Sequence, residues 1–471
     1  MWKSKRQILN ISCALLALAA GPLAAAADAP APASQQKLLD GKYLSIAADC
    51  VACHTAKGGA PYAGGYAIES PMGQIWSTNI TPSKRFGIGD YTEREFARAL
   101  REGIARDGHH LYPAMPYTSY AQLTDKDVSA LYAYFMNDVK PVEKATPRTD
   151  LPFPFSMRAS MVGWNLVYNS VKPFTPDPSK PQEINRGNYL ANALAHCAEC
   201  HTPRTALMGP DTSLPLAGGP VGAWYALNIT SDKTAGIGGW SDQELYQYLR
   251  TGHAEGRGQA AGPMAEAVEN SLQFLSDGDL RAIVAYLKDT QPIKTDDAPA
   301  RDSLGQPSDA ETRMRGNMVQ DANPGWKVYT ATCATCHGAR GEGTGSYPSL
   351  YRNSAVGAAR PDNLVATILY GVHRKIEGQS DIEMPGFGPQ ASYTERLTDQ
   401  QIADVSNYVL ASFGQPGQKP VTAQDVATSR AGGPASPLLG IARIGVPAAA
   451  VVLLLIVILL IARHRRTHKK A

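Results

Sequence analysis

The sequence predicts an all-α protein: three tandem copies of one small helical module, then a single C-terminal transmembrane helix. Three observations predict this. A pentapeptide Cys-x-x-Cys-His occurs at Cys50–His54, Cys197–His201 and Cys333–His337. Each copy has the same helix-forming surroundings. An apolar run of 18 residues, Gly445 to Ala462, precedes a basic end and is close to the roughly 20 residues a bilayer crossing needs.

Upstream of each pentapeptide is a short helical stretch opening near a glycine: Gly41 to Asp49, Gly187 to His196 and Gly325 to Thr332. Each carries an aromatic suited to pack inward, Tyr43, Tyr189 or Trp326. Downstream comes a second helix, Glu95–Gly103, Glu244–Gly252 or Asn363–Gly371, whose final glycine suits a C-cap. A methionine follows that glycine by 12 residues at Met115, by 12 at Met264 and by 13 at Met384. A third helix opens at Leu123-Thr124-Asp125, Leu275-Ser276-Asp277 and Leu397-Thr398-Asp399. The hydroxyl residue is the N-cap, and Asp127, Asp279 and Gln401 complete or approximate a capping box. The acids near these caps are therefore read as capping groups. Val128, Leu131, Tyr132 and Phe135, and Leu280, Ile283, Val284 and Leu287, then mark one face of an amphipathic helix.

The first two modules are closer kin. Asn79-Ile80-Thr81 recurs as Asn228-Ile229-Thr230, and Gly87-Ile88-Gly89 as Gly236-Ile237-Gly238. The third is more compact, with 51 residues from Cys333 to Met384 against 65 and 67 in the others. These limits place the modules at 35–145, 180–292 and 318–415, with proline-rich linkers near 141–180 and 293–320.

Two thiols three apart with an imidazole directly after are what covalent haem attachment requires. Each thiol takes one haem vinyl group as a thioether, and the histidine approaches the iron from the proximal side. Of seven cysteines, Cys13 lies in the N-terminal apolar run; the other six are Cys50, Cys53, Cys197, Cys200, Cys333 and Cys336. A structural zinc needs a second ligand pair nearby, and no spare cysteine supplies it. The expectation is three covalently bound haem c groups with proximal ligands His54, His201 and His337 and sixth ligands Met115, Met264 and Met384. Any methionine can be core filler; the shared register raises these three. Met72 is the competitor in the first module, and His109, His110, His253 and His373 are the alternative axial ligands. The glycine-rich run Gly338–Gly345 lacks the Lys-Ser/Thr ending of a phosphate loop and is read as a loop folding over the haem edge. A closed His/Met iron passes single electrons and does little bond chemistry, so three in one chain read as a wire without catalytic residues.

Residues 1–27 have a basic start, an apolar stretch and a small-residue end, and read as a secretion signal. Residues 416–440 read as a flexible tether, 441–462 as the transmembrane helix, and 463–471 as a cytoplasmic basic tail, because basic residues prefer that side. The formal charge of +3 is uneven. The signal carries +3 and the tail +5, leaving −5 between them, which excludes nucleic-acid binding on charge grounds.

These residues resemble a known family: the tri-haem cytochrome c subunits of membrane-bound dehydrogenases of proteobacteria. Leu44–Thr55, Gly64–Thr92, Leu151–Ser160, Ala260–Leu275 and Ile368–Val372 carry the resemblance most clearly. It implies three class I cytochrome c domains. The likeness is strongest to the subunits of FAD-dependent fructose and gluconate 2-dehydrogenases. It thus implies a separate catalytic flavoprotein, often a small third subunit, ubiquinone as acceptor, and haem domains on the periplasmic side of the inner membrane. Subunits of quinoprotein alcohol or aldehyde dehydrogenases, the haem donor of a terminal oxidase, and a multi-haem peroxidase are the alternatives.

Overall fold

The computed structural model describes residues 33–314, 322–345, 347–415 and 417–468. The expected secretion signal lies outside them. Each module is built on a crossed helix pair. The opening helices are Ala33–Ala47, Gln182–Tyr189 and Pro324–Val328, the last two continuing through π-turns at Leu190–Leu194 and Tyr329–Cys333. The closing helices are Asp125–Asn137, Asp277–Asp289 and Asp399–Phe413. The crossing occurs at the same glycine each time. A Cβ added at Gly41, Gly187 or Gly325 would lie 2.1, 1.8 or 2.1 Å from the carbonyl oxygen of Ala130, Ala282 or Asp404, and 2.7 Å from the Cβ of Tyr134, Tyr286 or Tyr408. Backbone meets backbone there, so no side chain can intervene.

The middle helices, Glu93–Glu102, Asp242–Thr251 and Asp362–Tyr370, begin slightly earlier than expected. Thr92 and Ser241 cap the first two in full capping boxes with Glu95 and Glu244. Gly103 and Gly252 end them in the left-handed region, at φ 65° and 71°, where a Cβ is disfavoured.

Modules one and two share one hydrophobic core, and the third has its own. The joint between the first two is reciprocal. Tyr43 donates to Asp279 at 2.7 Å, and Tyr189 donates to Asp127 at 2.5 Å. Each tyrosine oxygen also accepts the backbone N–H of the partner helix's N-cap residue, Ser276 for Tyr43 and Thr124 for Tyr189. This corrects the capping reading of these acids. Thr124 and Ser276 do cap their helices, but Asp127 accepts from Tyr189 of the other module, and Asp279 accepts from Tyr43 of the other module and from Arg186 of its own. In the third module Thr398 and Gln401 form the full box, and no tyrosine of another module bonds Gln401 among the described residues.

The third module reaches the others through a hairpin, Val372–Arg374 paired with Ile382–Met384. Its Ile376 enters the shared core, and Gln273 bonds the backbone of Lys375 and Glu377.

Two sequence expectations are corrected. The protein is not all-α: four two-stranded antiparallel hairpins occur among the described residues, at 67–76, 219–226, 253–259 and 372–384. They form in the glycine-rich stretches outside the helices, where turns and strand pairing satisfy the backbone instead. The C-terminal run is helical, within Pro437–His468, and Ile441, Val451 and Leu459 are exposed. Yet no helix among the described residues is long and apolar enough to cross a membrane. The run lies within a longer helix that also holds Gly440, Arg443 and Pro447 in its first third.

Part of the expected tether is also ordered. Ala423–Arg430 is a helix capped by Thr422, with Val426 fully buried and Arg430 paired to Asp399 at 2.6 Å. The first linker holds the helix Ser160–Tyr168, in which Asn165 accepts from Tyr117 at 2.8 Å and Trp164 donates to the Leu207 carbonyl at 3.1 Å.

Gly187→Ala is expected to destabilise by about 3 kcal/mol, because backbone must move. Gly163→Ala, in an open exposed helix position, should stabilise by about 0.5–1 kcal/mol; thermal unfolding of both compares them. Tyr189→Phe should cost about 1.5–3 kcal/mol, since it strips a hydrogen bond from a carboxylate. Burial alone would raise the Asp279 carboxyl, but hydrogen bonds from Arg186 and Tyr43 hold it below its ordinary value. Its contribution is therefore full above pH about 4 and is lost as pH falls through the depressed value. The difference in unfolding free energy between wild type and Asp279→Asn should close over that acid range.

Three candidate haem sites

Each pentapeptide lies on a single helical turn at the end of the opening helix: Cys50–Cys53, Ala198–His201 and Ala334–His337. Asp49 and His196, which precede the first cysteine, take positive φ of 51° and 40°, a reversal that swings the turn off the helix axis. None of the six described cysteines is in a disulfide. Burial pushes the Cys50, Cys53, Cys197 and Cys333 thiols up to about 12, and Cys200 up to about 11.

The three histidines make one contact in common. His54 donates from Nδ1 to the Thr78 carbonyl at 2.7 Å, His201 to Leu227 at 2.6 Å, and His337 to Pro348 at 2.9 Å. A carbonyl only accepts, so Nδ1 must carry the proton, and Nε2 is left with its lone pair free. Burial lowers the basicity of all three rings, which favours the neutral ligand form. A fixed tautomer with a free Nε2 is the hallmark of a metal-ligating histidine.

The carbonyls are themselves braced by the repeated Asn-Ile-Thr motif, whose role the sequence alone left unassigned. Asn79 directly follows Thr78. Its Oδ1 accepts from the N–H and Oγ1 of Thr81 at 2.9 and 2.6 Å, and its Nδ2 donates to Val142 at 2.9 Å. Asn228, directly after Leu227, does the same with Thr230 at 2.8 and 2.7 Å and with Ile293 at 2.7 Å. In the third module Ser349 follows Pro348, and its hydroxyl donates to the Tyr351 carbonyl at 3.0 Å. The glycine-rich run folds back over the attachment turn, where Gly343 N–H donates to the His337 carbonyl at 2.8 Å and Thr344 to that of Cys336 at 3.2 Å.

Met115 and Met264 pack against the shared core that Cys50 and Cys197 also line, and Met384 packs with Cys333 against the third module's core. Their register is common but their backbones differ. Met115 sits in a turn after Tyr112, Met264 in the first turn of the helix Gly262–Asn270, and Met384 on a strand. Of the alternative ligands, His109 is bound to Asp107 at 2.5 Å and His373 is exposed. Among the described residues, the buried Nδ1 atoms of His110 and His253 have no hydrogen-bond partner.

The profile of the cytochrome c family matches residues 38–137, 184–291 and 322–412. The chain belongs to the cytochrome c family. Such domains carry covalently bound haem c, and the free Nε2 atoms, paired thiols and core-facing methionines fit that group. The chain is 48% identical over 428 residues to the fructose dehydrogenase cytochrome subunit of Gluconobacter japonicus, covering 88% of this chain and 87% of that one. It is 39% identical to the gluconate 2-dehydrogenase cytochrome c subunit of Pantoea cypripedii, covering 88% and 94%. It is also 39% identical to the cytochrome c subunit of the quinone alcohol dehydrogenase of Gluconacetobacter polyoxogenes, covering 90% and 89%.

Asn228→Ala removes the brace beneath the His201 acceptor. It is expected to cost about 1–3 kcal/mol in unfolding free energy, as a buried Thr230 hydroxyl and amide lose their acceptor. Asn270→Ala, on an exposed contact, should cost well under 1 kcal/mol.

Proposed function

We propose that this chain is the electron-transfer subunit of a membrane-bound dehydrogenase complex. It takes electrons from a catalytic FAD flavoprotein that oxidises a sugar or sugar acid, and delivers them to ubiquinone through three haem c groups. The carrying observation is the threefold Cys-x-x-Cys-His turn whose histidine is pinned through Nδ1 to a braced carbonyl. When bound, haem c supplies a one-electron iron couple. The chain's own residues do the rest. Cys50 and Cys53, Cys197 and Cys200, and Cys333 and Cys336 attach the groups. His54, His201 and His337 present Nε2. Met115, Met264 and Met384, packed against the same cores as the attachment cysteines, would complete the ligand sets and so leave the groups to electron transfer rather than substrate chemistry. The identity to a fructose dehydrogenase subunit, at 48% against 39% for the alcohol dehydrogenase one, favours the flavoprotein class of partner. A small third subunit accompanies the flavoprotein in this reading. In this reading the haem modules work on the periplasmic side of the inner membrane.

Purification of the native complex from membranes should bring down a flavoprotein, and its sugar or sugar-acid substrate should reduce the haems. Co-purification of a quinoprotein instead would support the alcohol dehydrogenase reading, and recovery in a salt-washed soluble fraction would count against membrane placement. Met264→Ala should make one reduced haem reactive to carbon monoxide. An unchanged carbon monoxide response would remove Met264 from the ligand set.

A further inference from the structure

We infer that Arg301 and Arg374 form the pair that holds the haem carboxylates at the second site, and that the third module supplies Arg374 to it. The inference rests on the haem reading of that site. The two arginines are 9% and 1% exposed, and burial lowers the basicity of both. A buried guanidinium without a counter-anion is costly, yet among the described residues neither is paired with a carboxylate. Asp302, beside Arg301, is committed to Arg257 at 2.8 Å. Glu269, near Arg374, accepts the backbone N–H of Lys375.

The existing contacts are to neutral acceptors. Arg301 donates to the Ala235 carbonyl and, at 3.2 Å, to that of Asn228. Arg374 donates to the Ala260 carbonyl at 2.6 Å and to the Gln259 side chain at 2.7 Å. The Nε of each is buried without a partner.

Their placement identifies the missing anion. Asn228 follows Leu227, whose carbonyl holds His201, and Arg301 donates to the Asn228 carbonyl, so Arg301 stands on the histidine side. Ala260 lies four residues before Met264, so Arg374 stands on the methionine side. Both act on Tyr248 of the middle helix. Arg301 thus lies beside the segment that holds His201, and Arg374 beside the segment that leads to Met264. Haem c retains two propionate carboxylates at one edge of the ring, which matches this donor set in number and charge. Arg374 belongs to the hairpin whose other strand ends in Met384, the third site's methionine. Its guanidinium lies against Gly252, where an added Cβ would meet Nε at 2.6 Å. One hairpin therefore serves the second and third sites together.

The charge has a measurable consequence. Ferric iron carries one more positive charge than ferrous, so nearby cations disfavour the oxidised state and raise the potential. The test is a spectroelectrochemical redox titration of the full chain, with haem content read first by pyridine haemochrome. A Cys197→Ala/Cys200→Ala variant identifies the second site's step by its loss. Arg374→Gln and Arg301→Gln should each shift that step to lower potential and leave the other two unmoved, while Arg374→Lys should stay near wild type. Full haem content with the second site's step unmoved in both Gln variants, or movement of another step, would overturn the inference. A wild-type chain with no haem at the second site would instead defeat the haem reading beneath it. Where Arg374→Gln does not retain its haems, Arg301→Gln, wholly outside the third module's hairpin, decides alone.

Discussion

Each module depends on one contact, the backbone-to-backbone crossing of its opening and closing helices at Gly41, Gly187 or Gly325. That crossing fixes where the opening helix ends, and the attachment turn follows within a few residues. The attachment turn fixes the histidine, and the histidine can be held only where a carbonyl already waits. Asn79 and Asn228 hold that carbonyl by tying it to the chain that leaves the module. A three-residue motif far from any ligand in sequence thus governs the orientation of the ligand in space. The order of construction is helix crossing, turn, braced acceptor, free Nε2.

The modules are not beads on a string. Tyr43 and Tyr189 exchange hydrogen bonds with the helix starts of each other's modules, and the two share one core. A wire needs fixed distances between its centres, and a reciprocal joint with charge-assisted bonds resists sliding better than apolar packing alone, which is non-directional. The third module is attached differently, by a hairpin inserted along the second, so that its geometry follows that of its neighbour.

The sequence reading of the sites rests on chemistry that needs particular residue types at particular spacings. The attachment pairs, the following histidines and the methionine register belong to that class. Helix starts were legible where a hydroxyl precedes an amphipathic run, as at Thr398 with Gln401. The roles of Asp127 and Asp279 were not, since a carboxylate at the third helical position looks the same whether it caps its own helix or receives a tyrosine from another module. The hairpins were hidden because strands of two to four residues carry no usable periodicity. The apolar C-terminal run was legible as a helix but not as a span. Arg301 and Arg374 were invisible as a pair, being 73 residues apart in the chain and brought together only by packing.

The most direct test of the account is the haem-to-polypeptide ratio of the mature protein, taken as intact mass together with pyridine haemochrome. The account predicts three covalent haems per chain, falling by one when either cysteine pair of the first two modules, or that of the third, is replaced by alanine. Fewer than three in the wild type, or an unchanged ratio after removing a pair, would contradict it.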